Sequence, residues 1–307
     1  MTAAGAFKKT NPPEGSIGLS RPRLTAAFLW TLSLIVFWQP LRALLSLAIH
    51  DERSTHILII PIITAGLVYL RRRRIFQETR FCPWIGASLL VISTACWYVF
   101  RSQFALLETV DQLSGAALLV FLTWIGIFVF CFGITTLRLA AFPLSFLLLM
   151  VPLPAVVSQG AVSVLQAGSA ETSYTLFRLI GLPAVRNGFQ FSLPGVDIEV
   201  AKECSGIRSA LSLFIVSMLV GHLFLQVWWK RAILTLCSLP IAIFKNAVRI
   251  VTISWLGVRV SPSYFDNPLH HQGGLPFSLL ALALLLLLVR LLKLSRAQGK
   301  LQVGIPK

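Results

Sequence analysis

AKECSGIRSALSLFIVSMLVGHLFL, residues 201–225, turns within a few positions from a polar stretch carrying Lys202, Glu203 and Arg208 into one of the most apolar runs of the chain. A membrane-spanning helix needs about 20 predominantly apolar residues at about 1.5 Å rise each, and 207–225 meets that length. The same measure carried outward places eight spans, at roughly 25–49, 56–70, 84–100, 115–136, 139–156, 207–225, 231–257 and 274–292. The second is short, but Arg71–Arg74 follow it directly, and long basic side chains snorkel to the interface from a helix end.

The composition agrees. Of 307 residues 56% are hydrophobic and 12% charged, and the mean hydropathy is +0.80, outside the balance of a water-soluble domain. No polar segment is long enough for a separate soluble domain. The expected organisation is a basic cytoplasmic N-terminus at 1–24, a single transmembrane domain at 25–292 and a basic cytoplasmic tail at 293–307. The stretch with Lys8, Lys9, Arg21 and Arg23 resembles a signal peptide, yet no A-x-A-like site closes it, so it reads as an uncleaved first helix. Five cysteines are an odd number, and Cys96, Cys131 and Cys237 lie inside apolar runs, so no disulfide framework is implied.

A net charge of +16 would suggest nucleic acid in a soluble protein, but the basic residues cluster between apolar runs and KNAVRI and the Arg quartet lack interleaved aromatics. The N-terminus, the 71–83 connection, Arg138, Lys230–Arg231 and the tail from Arg290 hold most of the 27 Lys and Arg and, of the acids, only Glu14 and Glu78. By the positive-inside rule those segments are cytoplasmic, as are both termini, and the 201–210 stretch lies outside. One external connection, about 157–206, is much longer than the rest. Within it 161–180 reads as a helix lying along the interface, and GFQFSLPGVDIEVA as a short β-hairpin, from its period-two alternation and Pro-Gly turn. The fold class expected is therefore an all-α polytopic membrane helix bundle of about eight helices, with that external segment attached.

Three features bear on chemistry. Cys204 is the one cysteine expected outside the hydrocarbon on the external face. A lone cysteine is ordinarily a packing residue, but Ser205 and Gly206 suit a helix start, where the dipole favours a thiolate, and Arg208 adds positive charge one turn on. Arg249 lies 18 residues past Arg231, roughly 27 Å along a helix. There it either snorkels outward or faces the bundle interior together with Asn246 at i−3. His270 and His271, in NPLHHQGG before the last span, are either interfacial polar residues or proton-transfer groups. A Cys and two His invite comparison with zinc, but no HExxH or CxxC spacing is present, and no metal or cofactor is expected. A cysteine, an arginine and a histidine placed at one depth by three separate spans make a set suited to acyl transfer.

These residues resemble the exosortase and archaeosortase family of membrane cysteine transpeptidase-like enzymes. The resemblance rests on ECSGIRS, on Asn246-x-x-Arg249, on His270 four residues before Gly274, and on STHILIIPIITAGLVYLRRRR with His56 and Pro61. PLPAVV and GLPAVRNGFQFSLPGVDIEVAKECSG fit as well, so most of the chain is covered. It implies Cys204 as nucleophile, Arg249 as stabiliser of the thiolate or oxyanion, and His270 as general acid/base, with His271 as alternate because HHQGG permits a one-residue shift. Arg208, Asn246 and His56 would support them. The implied activity is that of a cysteine protease or transpeptidase cleaving PEP-CTERM-type C-terminal sorting signals of exported proteins at the outer face of a bacterial cytoplasmic membrane, through a thioacyl intermediate. Its partners would be substrate proteins with a C-terminal motif, a membrane helix and a basic tail, an exopolysaccharide- or lipid-linked acceptor, and the bilayer, with no nucleic acid. Two other classes compete. A polytopic transporter would use a buried Arg to bind anions; a non-catalytic scaffold for exopolysaccharide assembly would tolerate loss of the thiol.

Overall fold

A computed structural model describes residues 21–51, 53–77, 82–104, 110–200, 206–261 and 274–301. Helices dominate them: α1 (Arg21–Val36), α2 (Trp38–His50), α3 (His56–Leu70), α4 (Arg72–Ile75), α5 (Pro83–Phe104), α6 (Val110–Leu139), α7 (Ala141–Leu147), α8 (Ala155–Leu179), α9 (Ile207–Phe224), α10 (Trp228–Arg259) and α11 (Gly274–Leu301), with strands β1 (Val185–Asn187), β2 (Gln190–Leu193) and β3 (Val196–Glu199) between α8 and α9. The protein is thus a polytopic all-α membrane bundle carrying a small sheet.

Four helices, Val110–Leu139, Ile207–Phe224, Trp228–Arg259 and Gly274–Leu294, are long and apolar enough to cross a membrane, or up to six if each of two bent pairs counts as one span. Two shorter apolar helices, His56–Leu70 and Pro83–Val99, account for the remaining runs. Two of the eight expected spans are therefore corrected from continuous to broken. The 25–49 run bends by 77° between α1 and α2. Pro40 is the cause: it has no N–H for the carbonyl of Val36, and its ring collides with that carbonyl, so α1 ends at Val36. The 139–156 run stops at a single 3-10 turn, Leu148–Met150, with Val151 extended before Pro152 and a new helix starting after Pro154. The helix expected at 161–180 thus begins earlier, at Ala155.

Contacts divide the chain into two compact units, Met1–His50 with Ile57–Pro152, and Asp51–His56 with Leu153–Lys307. In the first, α5 and α6 pack where Gly86 lies directly on the Phe130 backbone; a Cβ there would stand 2.4 Å from Phe130 Cα. Trp124 Nε1 donates to Ser33 Oγ (3.1 Å) and Thr123 Oγ1 to Ser93 Oγ (2.8 Å), tying α6 to α1 and α5. The core is Ala26, Ile127, Phe128, Cys131 and Phe132 with their neighbours.

In the second unit α8, α9 and α11 pack on α10 around Leu165, Leu213, Leu234, Ala242, Ala281 and Leu285. The expected hairpin is present with one strand more. The sheet is an antiparallel meander in the order β1-β2-β3, with Asn187↔Gln190 and Leu193↔Val196 closing its two turns. Each turn has two residues, with Gly188 (φ 63) opening the first and Gly195 (φ 82) following Pro194 in the second, conformations that glycine adopts without penalty. Phe191 and Leu193 point from one face of β2 onto Phe177, Ala170 and Val251, so the meander lies on α8 and α10. Its last strand leads into 201–205.

Candidate functional site

The site is defined by the two residues on either side of 201–205 and by what holds them. On the N-terminal side, Val200 is buried. Its N–H donates to Phe189 O (2.9 Å), and its carbonyl accepts from Nε2 of the buried Gln166 on α8 at 2.6 Å. A buried amide satisfied by a backbone carbonyl is a fixed point, because breaking the bond leaves both groups desolvated and unpaired.

On the C-terminal side Gly206 caps α9 in the left-handed region, φ 74 and ψ 19. Its carbonyl accepts from the Ala210 N–H (2.9 Å) and from Ser209 Oγ (2.9 Å). A Cβ at this position would come within 3.2 Å of Asn246 Oδ1 and 3.3 Å of Asn246 Cγ. Glycine is therefore required on two counts, backbone conformation and space.

Asn246 is 1% exposed and its Nδ2 donates to Oγ of the fully buried Ser169 at 3.0 Å. That bond joins α10 to α8 one residue from Gly168, where a Cβ would meet Ile243 Cδ1 at 2.8 Å. Small residues that let backbones approach and a side-chain hydrogen bond across the contact are the usual means of joining helices in a membrane. Gln166 and Ser169 lie three apart on one face of α8. One helix thus holds Val200 directly and Gly206 through Asn246.

Arg249 stands at i+3 from Asn246 and i+4 from Lys245, on the same side of α10, and is half-buried. Lys245 is itself buried, and its Nζ donates to Ser209 Oγ at 2.6 Å. Arg208 is exposed at the second position of α9, its carbonyl accepting from Ser212 Oγ. His56 opens α3, half-buried, with Nδ1 3.2 Å from Arg53 O, and the Asp51–His56 turn groups with the second unit. Cys204, with Glu203 and Ser205, lies outside the described residues, as do His270 and His271. Of the residues expected from sequence, the structure brings Asn246 and Arg249 onto one face of α10, with Asn246 against the glycine of the cysteine motif.

Lys245, Gln166 and Ser169 were not among the expected residues, and Ser209 entered only as the last residue of ECSGIRS, with no role of its own. A lysine inside an apolar run, four positions before Arg249, is a signal that was there to be read, since ionisable residues within spans are rare and functional. Gln166 and Ser169 carried none, being compatible with any partly polar helix.

A multi-pass helical membrane protein with a polar cluster at the start of one of its spans is the class these features define. Residues 38–287 match the family described as transmembrane exosortase (Exosortase_EpsH), and the chain belongs to that family. No curated protein and no solved structure matches the chain. Membership supports a protein-sorting role of the transpeptidase type in a membrane.

Proposed function

We propose that the protein is a cysteine transpeptidase that cleaves C-terminal sorting signals of the PEP-CTERM kind from exported proteins. Cys204 is the nucleophile. Its thiolate attacks the scissile carbonyl carbon, forming a C–S bond and a tetrahedral oxyanion, and the guanidinium of Arg249 stabilises the negative charge before and after attack. Collapse breaks the C–N bond, and His270, or His271 as alternate, delivers the proton to the leaving amine. An acceptor amine or water then attacks the thioester and regenerates the thiolate.

One observation carries the reading. The residues that flank 201–205 are each set against a buried polar side chain, Val200 hydrogen-bonded by Gln166 and Gly206 packed beside Asn246, and Arg249 stands one turn beyond Asn246. Cys204 is two residues from Gly206 in the sequence. Flanks fixed in this way suit a segment that presents a nucleophile in a near-attack geometry.

In this proposal both termini are cytoplasmic, Cys204 faces the outside of the cytoplasmic membrane, and the substrate's own basic tail holds it in the same orientation. The test is to co-express Cys204→Ala or Cys204→Ser with an exported reporter ending in a short motif, one apolar helix and a basic tail, and to follow the reporter by size. Loss of processing is expected; processing that persists in both variants rules out the catalytic assignment.

A further inference from the structure

Lys245 is a buried charge to which the proposed reaction gives no role. It is 4% exposed inside α10, and because an ammonium within a span is costly, such residues mark functional sites. Among the described residues no carboxylate forms an ion pair with it; the ion pair they contain is Arg186–Glu171. Its hydrogen bond goes instead to Ser209 Oγ at 2.6 Å. Ser209 in turn donates to Gly206 O at 2.9 Å. A hydroxyl has one proton to donate and lone pairs to accept, so the direction is fixed: ammonium to Ser209, Ser209 to Gly206. The chain ends on the carbonyl of the residue that starts α9, whose other side touches Asn246. Two consecutive residues of α10 thus fix the start of α9 from two sides, and Arg249 lies one turn further on the same helix.

Resting on the function proposed above, we infer that Lys245 is a positioning residue of the reaction. Through Ser209 it holds the Gly206 end of the cysteine segment against the Asn246–Arg249 turn.

The test uses the full chain in detergent micelles and in cells, with iodoacetamide as the probe and alkylation mapped to Cys204 by mass spectrometry. Lys245→Met is expected to slow reporter processing at least tenfold at equal folded amount. It is also expected to change the rate of Cys204 alkylation near neutral pH several-fold, because the segment that carries the thiol is no longer held at Gly206. Lys245→Arg restores both in part. Ser209→Ala slows processing, and adding it to Lys245→Met costs less than the product of the single effects, because the two act as one unit.

An unchanged alkylation profile in Lys245→Met overturns the inference, as does multiplicative behaviour of the double variant. Should Lys245→Met not accumulate, Ser209→Ala decides alone: slowed processing at wild-type folded amount supports the inference and wild-type processing overturns it. Cys204→Ala separates the two proposals. If it abolishes processing while Lys245→Met is normal, only the role of Lys245 falls; if it leaves processing intact, the catalytic reading falls whatever Lys245 does.

Discussion

Replacing Gly206 with Ala perturbs the start of α9 by one methyl group, and the structure fixes what that costs. Gly206 sits at φ 74, and holding a non-glycine residue in the left-handed region costs about 1–2 kcal/mol. The new Cβ also stands 3.2 Å from Asn246 Oδ1 and 3.5 Å from Ser209 Oγ, so Asn246 must yield by a few tenths of an ångström. Its amide is bonded to buried Ser169 and has little freedom, and overpacking of that kind adds about 1 kcal/mol. The total is about 2–3 kcal/mol, borne next to Cys204.

Gly181 is the matched control: φ is 68 and nothing lies within 4 Å of its Cβ position, so Gly181→Ala costs only the backbone contribution of about 1–2 kcal/mol. Both variants are to be unfolded by detergent titration and scored for reporter processing per folded molecule. Displacing a nucleophile by a fraction of an ångström to 1 Å can cost up to about a hundredfold in rate, so Gly206→Ala is expected to lose at least tenfold and Gly181→Ala nothing beyond its loss of folded protein. Equal activity per folded molecule in the two variants would refute the claim that Gly206 positions the site.

Gln166→Leu removes the donor to Val200 O while keeping bulk; a buried carbonyl left unpaired costs about 1–3 kcal/mol, and processing per folded molecule should fall several-fold, checked by the same pair of assays. Gly86→Ala puts a Cβ 2.4 Å from the Phe130 backbone, a clash that no side-chain rotation relieves, so folded yield should drop sharply while the surviving protein processes at the normal rate. A membrane-impermeant thiol reagent applied to intact cells should label Cys204 and leave Cys96 and Cys131 unmodified, Cys131 being 3% exposed in the first unit; labelling of Cys204 only after the cytoplasm is opened would invert the proposed topology.

Hydropathy made the helices legible, because each span must cover the hydrocarbon with apolar side chains whatever its partners. It does not register missing backbone donors. Pro40 and Pro152 therefore broke two runs that average as continuous, Phe37 and Val151 marking the breaks. The strand Val185–Asn187 is three residues long and partly polar, too short for alternation to show, and it exists because Gly188 folds it back on β2. At the site, Asn246 and Arg249 stood out as polar residues in an apolar run. Gln166, Ser169 and Ser209 did not, since their role depends on partners 34, 77 and 36 residues away. Such pairings are set by helix packing and leave no local pattern.

The most direct measurement is to capture the acyl-enzyme. Purified protein is mixed with a reporter carrying the C-terminal signal, quenched in acid within the first turnover, and weighed intact. A species heavier by the mass of the reporter's N-terminal part, attached at Cys204, released by hydroxylamine and absent from Cys204→Ser, is the predicted result. Reporter cleavage at the wild-type rate with no adduct on Cys204, or undiminished in Cys204→Ser, would contradict the account.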